Sequence, residues 1–276
     1  METVSENVCF DGVQGVYTHA SKACGCDMTF GLYLPPQARS GKVPVLWYLS
    51  GLTCTHENAM TKAAAQGIAA ETGMAIVFPD TSPRGEDVAD DDAYDLGKGA
   101  GFYVNATQEP WAPHFQMWDY ITSELPKLIG AEFAVDLDRQ AITGHSMGGH
   151  GALTIAMAHP GRFASASAFA PIAHPSASDW GRKQLSAYLG DDETTWAKHD
   201  ATLQMQEVGF DGPVLVDQGG SDQFLELLKP EDLSQAMAAR RQDGVFRIQK
   251  GYDHSYFFVS TFIPDHVAFH ADALGL

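Results

Sequence analysis

The chain has 276 residues, with 17 basic against 35 acidic side chains and a formal charge of −18. An acidic balance with no basic block argues against nucleic acid and anionic membranes as partners. A composition of 45% hydrophobic and 19% charged residues excludes a disordered chain, and this length buries a sizeable core without metal or disulfide staples.

Residues 8–36 read as antiparallel strands: 13–19 and 28–34 alternate, and Pro35-Pro36 stops the second. The continuous apolar run 43–49 (VPVLWYL) is a strand buried on both faces. A helix is expected over 59–71, closed by Gly73, then a buried strand at 74–78. Helical spacing over 118–129 precedes a short strand at 140–143, and 149–158 reads as a small-residue helix stopped by Pro160. Further strands are expected at 164–169, 214–217 and 246–249, with helices at 230–240 and 261–274. The alternation implies an α/β fold with a mainly parallel central sheet flanked by helices and antiparallel N-terminal strands. Two excursions, 81–113 and 171–206, stand where they can wall a pocket at the carboxyl ends of the strands. No linker or repeat divides the chain, so one domain spanning 1–276 is expected.

Four cysteines make no disulfide scaffold, and Cys24-Gly-Cys26 has neither CxxC spacing nor a second pair. Met1–Ser5 lacks the basic and apolar regions of a signal peptide, and no apolar run reaches about 18 residues. The expectation is a soluble, reduced, cytoplasmic protein that needs no cofactor or metal.

Gly144-His145-Ser146-Met147-Gly148 matches G-x-S-x-G. Chance alone produces this pattern about 0.15 times in a chain of this composition, so context must carry it. An apolar strand runs into it and a Gly/Ala-rich helix runs out, the setting of a nucleophile elbow. Side chains at Gly144 or Gly148 are expected to collide with the neighbouring strand or helix, and the turn to lift Ser146 into solvent at a helix N-terminus.

A serine hydroxyl needs a base and a group that orients the base. His254, just past the last expected strand, is placed for the base. His145 and His150 are held by the elbow itself, and His266 and His270, an i,i+4 pair without a HExxH carboxylate, read as surface histidines. Asp222 follows the strand at 214–217 and is the candidate acid. Asp217 is the rival still inside the strand, and Asp253 is too close to the base to orient it. The oxyanion donors are expected at the Met147 N–H and, in the loop 50–54, at the Leu52 N–H, with Gly51 permitting close approach.

With these residues placed, the chain resembles the esterase D family of S-formylglutathione hydrolases. The stretches that carry the likeness are SGLTCT (50–55), TSPRG (81–85), GKGAGFYVNAT (97–107), GHSMGGHG (144–151), Trp180-Gly181, Tyr188-Leu189-Gly190, DQGGSDQFL (217–225) and GYDHSYF (251–257). The resemblance implies an α/β-hydrolase that cleaves S-formylglutathione to glutathione and formate in formaldehyde detoxification. It also implies side activity on small acyl esters, and a homodimer. It carries over Ser146, Asp222 and His254 as the triad and Leu52 and Met147 as oxyanion positions. It makes Cys54 a cysteine near the site, linked to thiol-reagent sensitivity. Two departures stand out. Ser221 replaces the first of two consecutive acids, and 174–179 lacks the family's Asn-Pro start and the proline beside the tryptophan.

A glutathione conjugate is itself anionic, so the field of this chain opposes it and local cations must recognise it. Arg84, Lys98, Arg182 and Lys183 are the candidates, with Trp180 beside them. Alternatives that remain open are a general carboxylesterase or an acyltransferase on the same scaffold, and a non-catalytic binding protein with a hydrolase fold.

Overall fold

The computed structural model describes all 276 residues. Nine strands form one sheet: β1 (Glu2–Cys9), β2 (Gly12–Ala20), β3 (Asp27–Leu34), β4 (Val43–Leu49), β5 (Ala75–Pro79), β6 (Val135–Gly144), β7 (Phe163–Phe169), β8 (Val214–Gly219) and β9 (Gly244–Gln249). Their order is β1-β2-β3-β5-β4-β6-β7-β8-β9. The first three are antiparallel and β3 joins β5 antiparallel. From β5 through β9 every pairing is parallel. The expected sheet is therefore present, covered by helices on both faces as a parallel sheet requires.

The inner strands follow their hydrophobic runs closely because burial on both faces leaves no other solution. All seven residues of β4 and all six of β8 are buried. One apolar cluster of 69 residues joins the sheet to its helices. Differences from the expected elements have local reasons. The edge strand β1 is polar and almost wholly exposed, so it carries no burial pattern. The helix expected over 59–71 is two helices, His56–Lys62 and Gln66–Thr72. The break falls at alanines rather than at a glycine or proline, with Ala64 at φ 60°. The excursions 81–113 and 171–206 pack onto the carboxyl ends of the strands and contribute buried aromatics, including Tyr103, Tyr188 and Trp196.

The last helix, Tyr256–Leu274, corrects the surface placement expected for His266 and His270: both are fully buried against the sheet. His266 stacks on Phe169 of β7 at 3.7 Å. Its Nε2 lies 3.1 Å from Asp217 and its Nδ1 2.8 Å from Ser167 Oγ. His270 bridges Ser165 and Ser167 at 2.7 and 2.8 Å. Asp217, on β8, also accepts from Arg247 and Gln249 of β9. A carboxylate only accepts, so His266 donates to Asp217 from Nε2. The Ser167 hydroxyl lies 2.7 Å from Thr143 Oγ1 and within hydrogen-bond distance of both imidazoles. Every ring nitrogen of the pair has a partner inside the protein, which the i,i+4 sequence pattern had no means to show.

Burial holds His266 and His270 below the ordinary histidine value of 6.5. It pushes His150 down to about 4 and His199 to about 3. Burial alone raises Asp217, but hydrogen bonds from His266, Arg247 and Gln249 bring it down to about 2. The unfolded chain therefore binds protons below pH 6.5 that the folded chain does not. The stability conferred by the neutral histidines is present above that pH and is lost as pH falls through it. The Asp217 contribution persists above the ordinary carboxyl range and is lost only as pH falls towards 2. Unfolding at pH 5–6 is expected to take up protons, read from the buffer dependence of the calorimetric enthalpy. Proton release over that range would contradict the buried neutral state.

Candidate active site

The sheet's chain path creates the site. From β4 the chain crosses to β5 on one side, then to β6 on the other, and ligands in open α/β sheets bind where strand order reverses. The pair Leu49 and Gly144 ends the β4–β6 ladder, so the loop after β4 and the turn after β6 lie side by side.

Ser146 occupies that turn at φ 58°, ψ −119°, a conformation most side chains avoid. The helix Met147–Ala158 starts on the next residue. The strained turn is held by its surroundings. Ser146 N–H donates to Phe169 O at 2.9 Å, His145 N–H to Leu49 O at 3.0 Å, and Ser146 O accepts from Ile172 N–H at 3.2 Å. A Cβ on Gly144 would lie 2.2 Å from Gly148 O, and one on Gly148 would lie 1.9 Å from Leu49 O, so the expected collisions are real. Ser146 is not lifted into solvent. It is only 7% exposed, in the wall of a cavity of about 240 Å³ that Leu52, Cys54, Trp180, Phe224 and His254 also line.

Asp222 and His254 follow neighbouring strands, β8 and β9. His254 Nδ1 lies 2.6 Å from Asp222 Oδ2. The carboxylate also accepts from Gln218 Nε2 at 3.0 Å and Phe224 N–H at 2.8 Å, so its direction is set by three donors. Nδ1 must then carry the proton, which leaves Nε2 as the acceptor facing the cavity that Ser146 shares. No side-chain hydrogen bond joins Ser146 to His254 in this structure; such bonds commonly tighten only around a bound substrate. Asp217 is committed to the buried network and Asp253 to Ser255 N–H and Oγ, so neither rival reaches His254.

Two amides complete the geometry. The N–H groups of Leu52 and Met147 have no acceptor within the protein. A Cβ on Gly51 would sit 3.1 Å from Ser146 Cβ, so the Leu52 loop lies directly against the serine. A hydroxyl and an imidazole oriented by a carboxylate at one cavity, with unpaired amides at Leu52 in its wall and at Met147 next to the serine, are the parts of nucleophilic acyl transfer.

Residues 21–269 match the family model Esterase, described as "Putative esterase". The chain is 69% identical over 274 residues to an S-formylglutathione hydrolase of Paracoccus denitrificans (strain Pd 1222), covering 99% of this chain and 98% of that one. The chain belongs to the S-formylglutathione hydrolase family. An S-formylglutathione hydrolase of Mus musculus is 49% identical over 279 aligned positions, covering 100% of this chain and 99% of that one. The solved structure of an S-formylglutathione hydrolase from Agrobacterium tumefaciens superposes with a TM-score of 0.97 at 49% identity, over 100% of both chains. The chain thus has the α/β-hydrolase fold of this esterase family.

Against that family background the remaining candidates separate. Trp180 lines the cavity, and none of the four cations does. Arg84 is paired with Asp80, Arg182 with Glu193 and Lys183 with Asp95, while Lys98 makes no salt bridge. Cys54 lines the cavity, but burial pushes its thiol up. A thiol with a raised pKa is a poor nucleophile.

Tyr94 and Leu228 also line the cavity and carry no motif that marks them, while Phe224 stands unremarked within the matched stretch 217–225. His145 faces the same cavity with both ring nitrogens unpaired, its ring centroid 4.7 Å from that of His254. Burial, and then the neighbouring His254, hold His145 well below the ordinary histidine value.

Gly148→Ala is expected to lose stability by about 1–3 kcal/mol and nearly all esterase activity, because the clash is with backbone that cannot yield. Thermal unfolding together with p-nitrophenyl acetate hydrolysis checks it. Cys54→Ser is expected to keep most of the turnover while losing part of its inhibition by thiol reagents. A loss as deep as that of Ser146→Ala would make Cys54 the nucleophile.

Proposed function

We propose that this chain is a single-domain serine thioesterase that hydrolyses S-formylglutathione to glutathione and formate. Ser146 is its nucleophile, His254 its base and Asp222 the residue that orients the base. The observation that carries the reading is the 2.6 Å Asp222–His254 contact beside a serine held in the elbow conformation.

Ser146 Oγ attacks the thioester carbonyl as His254 Nε2 takes its proton. The carbonyl oxygen becomes an oxyanion between the Leu52 and Met147 amides. The C–S bond then breaks, and glutathione leaves with the proton returned by His254. A thiolate leaves more readily than an alkoxide, so this step leans less on acid assistance than ester cleavage does. Water, deprotonated by His254, attacks the formyl-serine and releases formate. Met147 N–H stands at the N-terminus of its helix, where the dipole adds to oxyanion stabilisation.

Formyl is the smallest acyl group, and the cavity walled by Leu52, Trp180 and Phe224 has room for it together with part of the thiol portion. Lys98, the one candidate cation without an ion pair, is the proposed contact for a glutathione carboxylate, with Trp180 beside the thiol portion. The family resemblance also supports a homodimer acting in the cytoplasm. No helix is long and apolar enough to cross a membrane.

Ser146→Ala is expected to keep its fold and lose on the order of 10⁴-fold or more in kcat. The wild-type kcat/KM is expected to be far higher for S-formylglutathione than for p-nitrophenyl acetate. Undiminished turnover by Ser146→Ala sinks the mechanism. The reverse substrate ranking makes the chain a general carboxylesterase, and failure of a fluorophosphonate probe to label Ser146 makes it a binding protein.

A further inference from the structure

The loop Ser50–Cys54 has no regular secondary structure, yet its middle amide must be aimed at one point. It is fastened at three places. Ser50 O accepts from the buried Tyr103 hydroxyl at 2.8 Å. Thr53, at φ 63°, donates its N–H to Gly99 O at 2.9 Å. Cys54 O accepts from Arg84 Nη2 at 2.8 Å and from the Thr81 hydroxyl. Gly99 permits the close approach: a Cβ there would meet Thr53 Cα at 3.0 Å and Arg84 Nη2 at 3.5 Å.

Arg84 is itself fixed. Its Nε lies 3.0 Å from both carboxylate oxygens of Asp80, which follows β5 and is 5% exposed. Asp80 also accepts from Thr81 N–H at 2.6 Å. The planar guanidinium thus spans a buried carboxylate and the carbonyl that ends the loop, two fixed acceptors that an ammonium cannot fork between. Arg84 does not line the cavity.

We infer that Arg84, held by Asp80, is a positioning residue of the oxyanion hole: it clamps the Cys54 carbonyl and so aims the Leu52 amide. It is not a contact for the anionic portion of a substrate. The inference rests on Leu52 N–H being an oxyanion donor, as in the mechanism above, and does not depend on which acyl donor is natural. Misplacing one such donor by about 1 Å costs on the order of 10²-fold.

The test is Arg84→Lys, which keeps the charge and loses the fork, assayed on S-formylglutathione and on the uncharged p-nitrophenyl acetate. A clamp predicts a fall in kcat of about 10- to 100-fold on both substrates, with KM nearly unchanged. Inhibition by a trifluoromethyl ketone, which forms a tetrahedral oxyanion adduct on the serine, should weaken in parallel. Inhibition by S-methylglutathione, a ground-state mimic, should not. A rise in KM for S-formylglutathione alone, with p-nitrophenyl acetate untouched, would show a substrate contact and overturn the inference. Wild-type rates on both substrates would overturn it too. If Arg84→Lys fails to fold, Thr81→Val, which removes the other donor to Cys54 O, decides: a smaller parallel loss in kcat supports the clamp and wild-type kcat refutes it. A wild-type enzyme inactive on S-formylglutathione would refute the proposed function, while the p-nitrophenyl acetate measurements still judge Arg84.

Discussion

The backbone of Ser146 can hold its positive φ only while three neighbours stay small and close. Gly144 and Gly148 let the turn fold on itself and against the end of β4, and Gly51 lets the β4 loop touch the serine. The same closeness sets the Leu52 loop against Ser146, whose next residue, Met147, opens the following helix. The proposed nucleophile and oxyanion donors thus share a single steric arrangement at the point where the strand order reverses. Hydrogen bonds to Leu49 O and Phe169 O tie the strained turn to the strands on either side, which is what a sparsely populated conformation requires to persist.

Three buried aspartates at the carboxyl ends of parallel strands show how burial sorts chemically identical groups. Asp80 is paired with Arg84 and serves the loop after β4. Asp217 is sealed beneath the last helix among His266, Arg247 and Gln249, where it holds that helix to β8 and β9. Asp222 meets His254 at the cavity. Two Asp–His pairs thus lie five residues apart on one strand and its loop. Only the pair whose imidazole keeps a nitrogen towards the cavity can move a proton to a substrate. The other spends both nitrogens inside the protein.

The charge of −18 gains a similar reading. Of the four basic residues expected near the substrate, three neutralise local carboxylates and only Lys98 stays unpaired. In so acidic a chain, a cation placed near the site meets a carboxylate first. Abundance of acid, rather than a shortage of base, is what leaves so few positive charges for an anionic ligand.

The mainly parallel central sheet with its antiparallel N-terminal strands, the tight glycine turn at 144–148, and the placing of Asp222 beyond a strand end rather than inside it were legible in the amino-acid order. Those features rest on local physics: hydrophobic runs that admit only burial, glycines at a turn that tolerates nothing larger, and the spacing of a carboxylate from a strand end. What tertiary structure alone decided was pairing and depth. Ser146 lies buried in a cavity wall, His266 and His270 are core rather than surface, Arg84 bonds to the Cys54 carbonyl, and the His145 ring lies tilted beside that of His254. The helix break at Ala63–Ala65 and the exposed strand β1 belong with them. Each depends on which distant segment arrives alongside, and a residue's own neighbours in sequence carry no record of that.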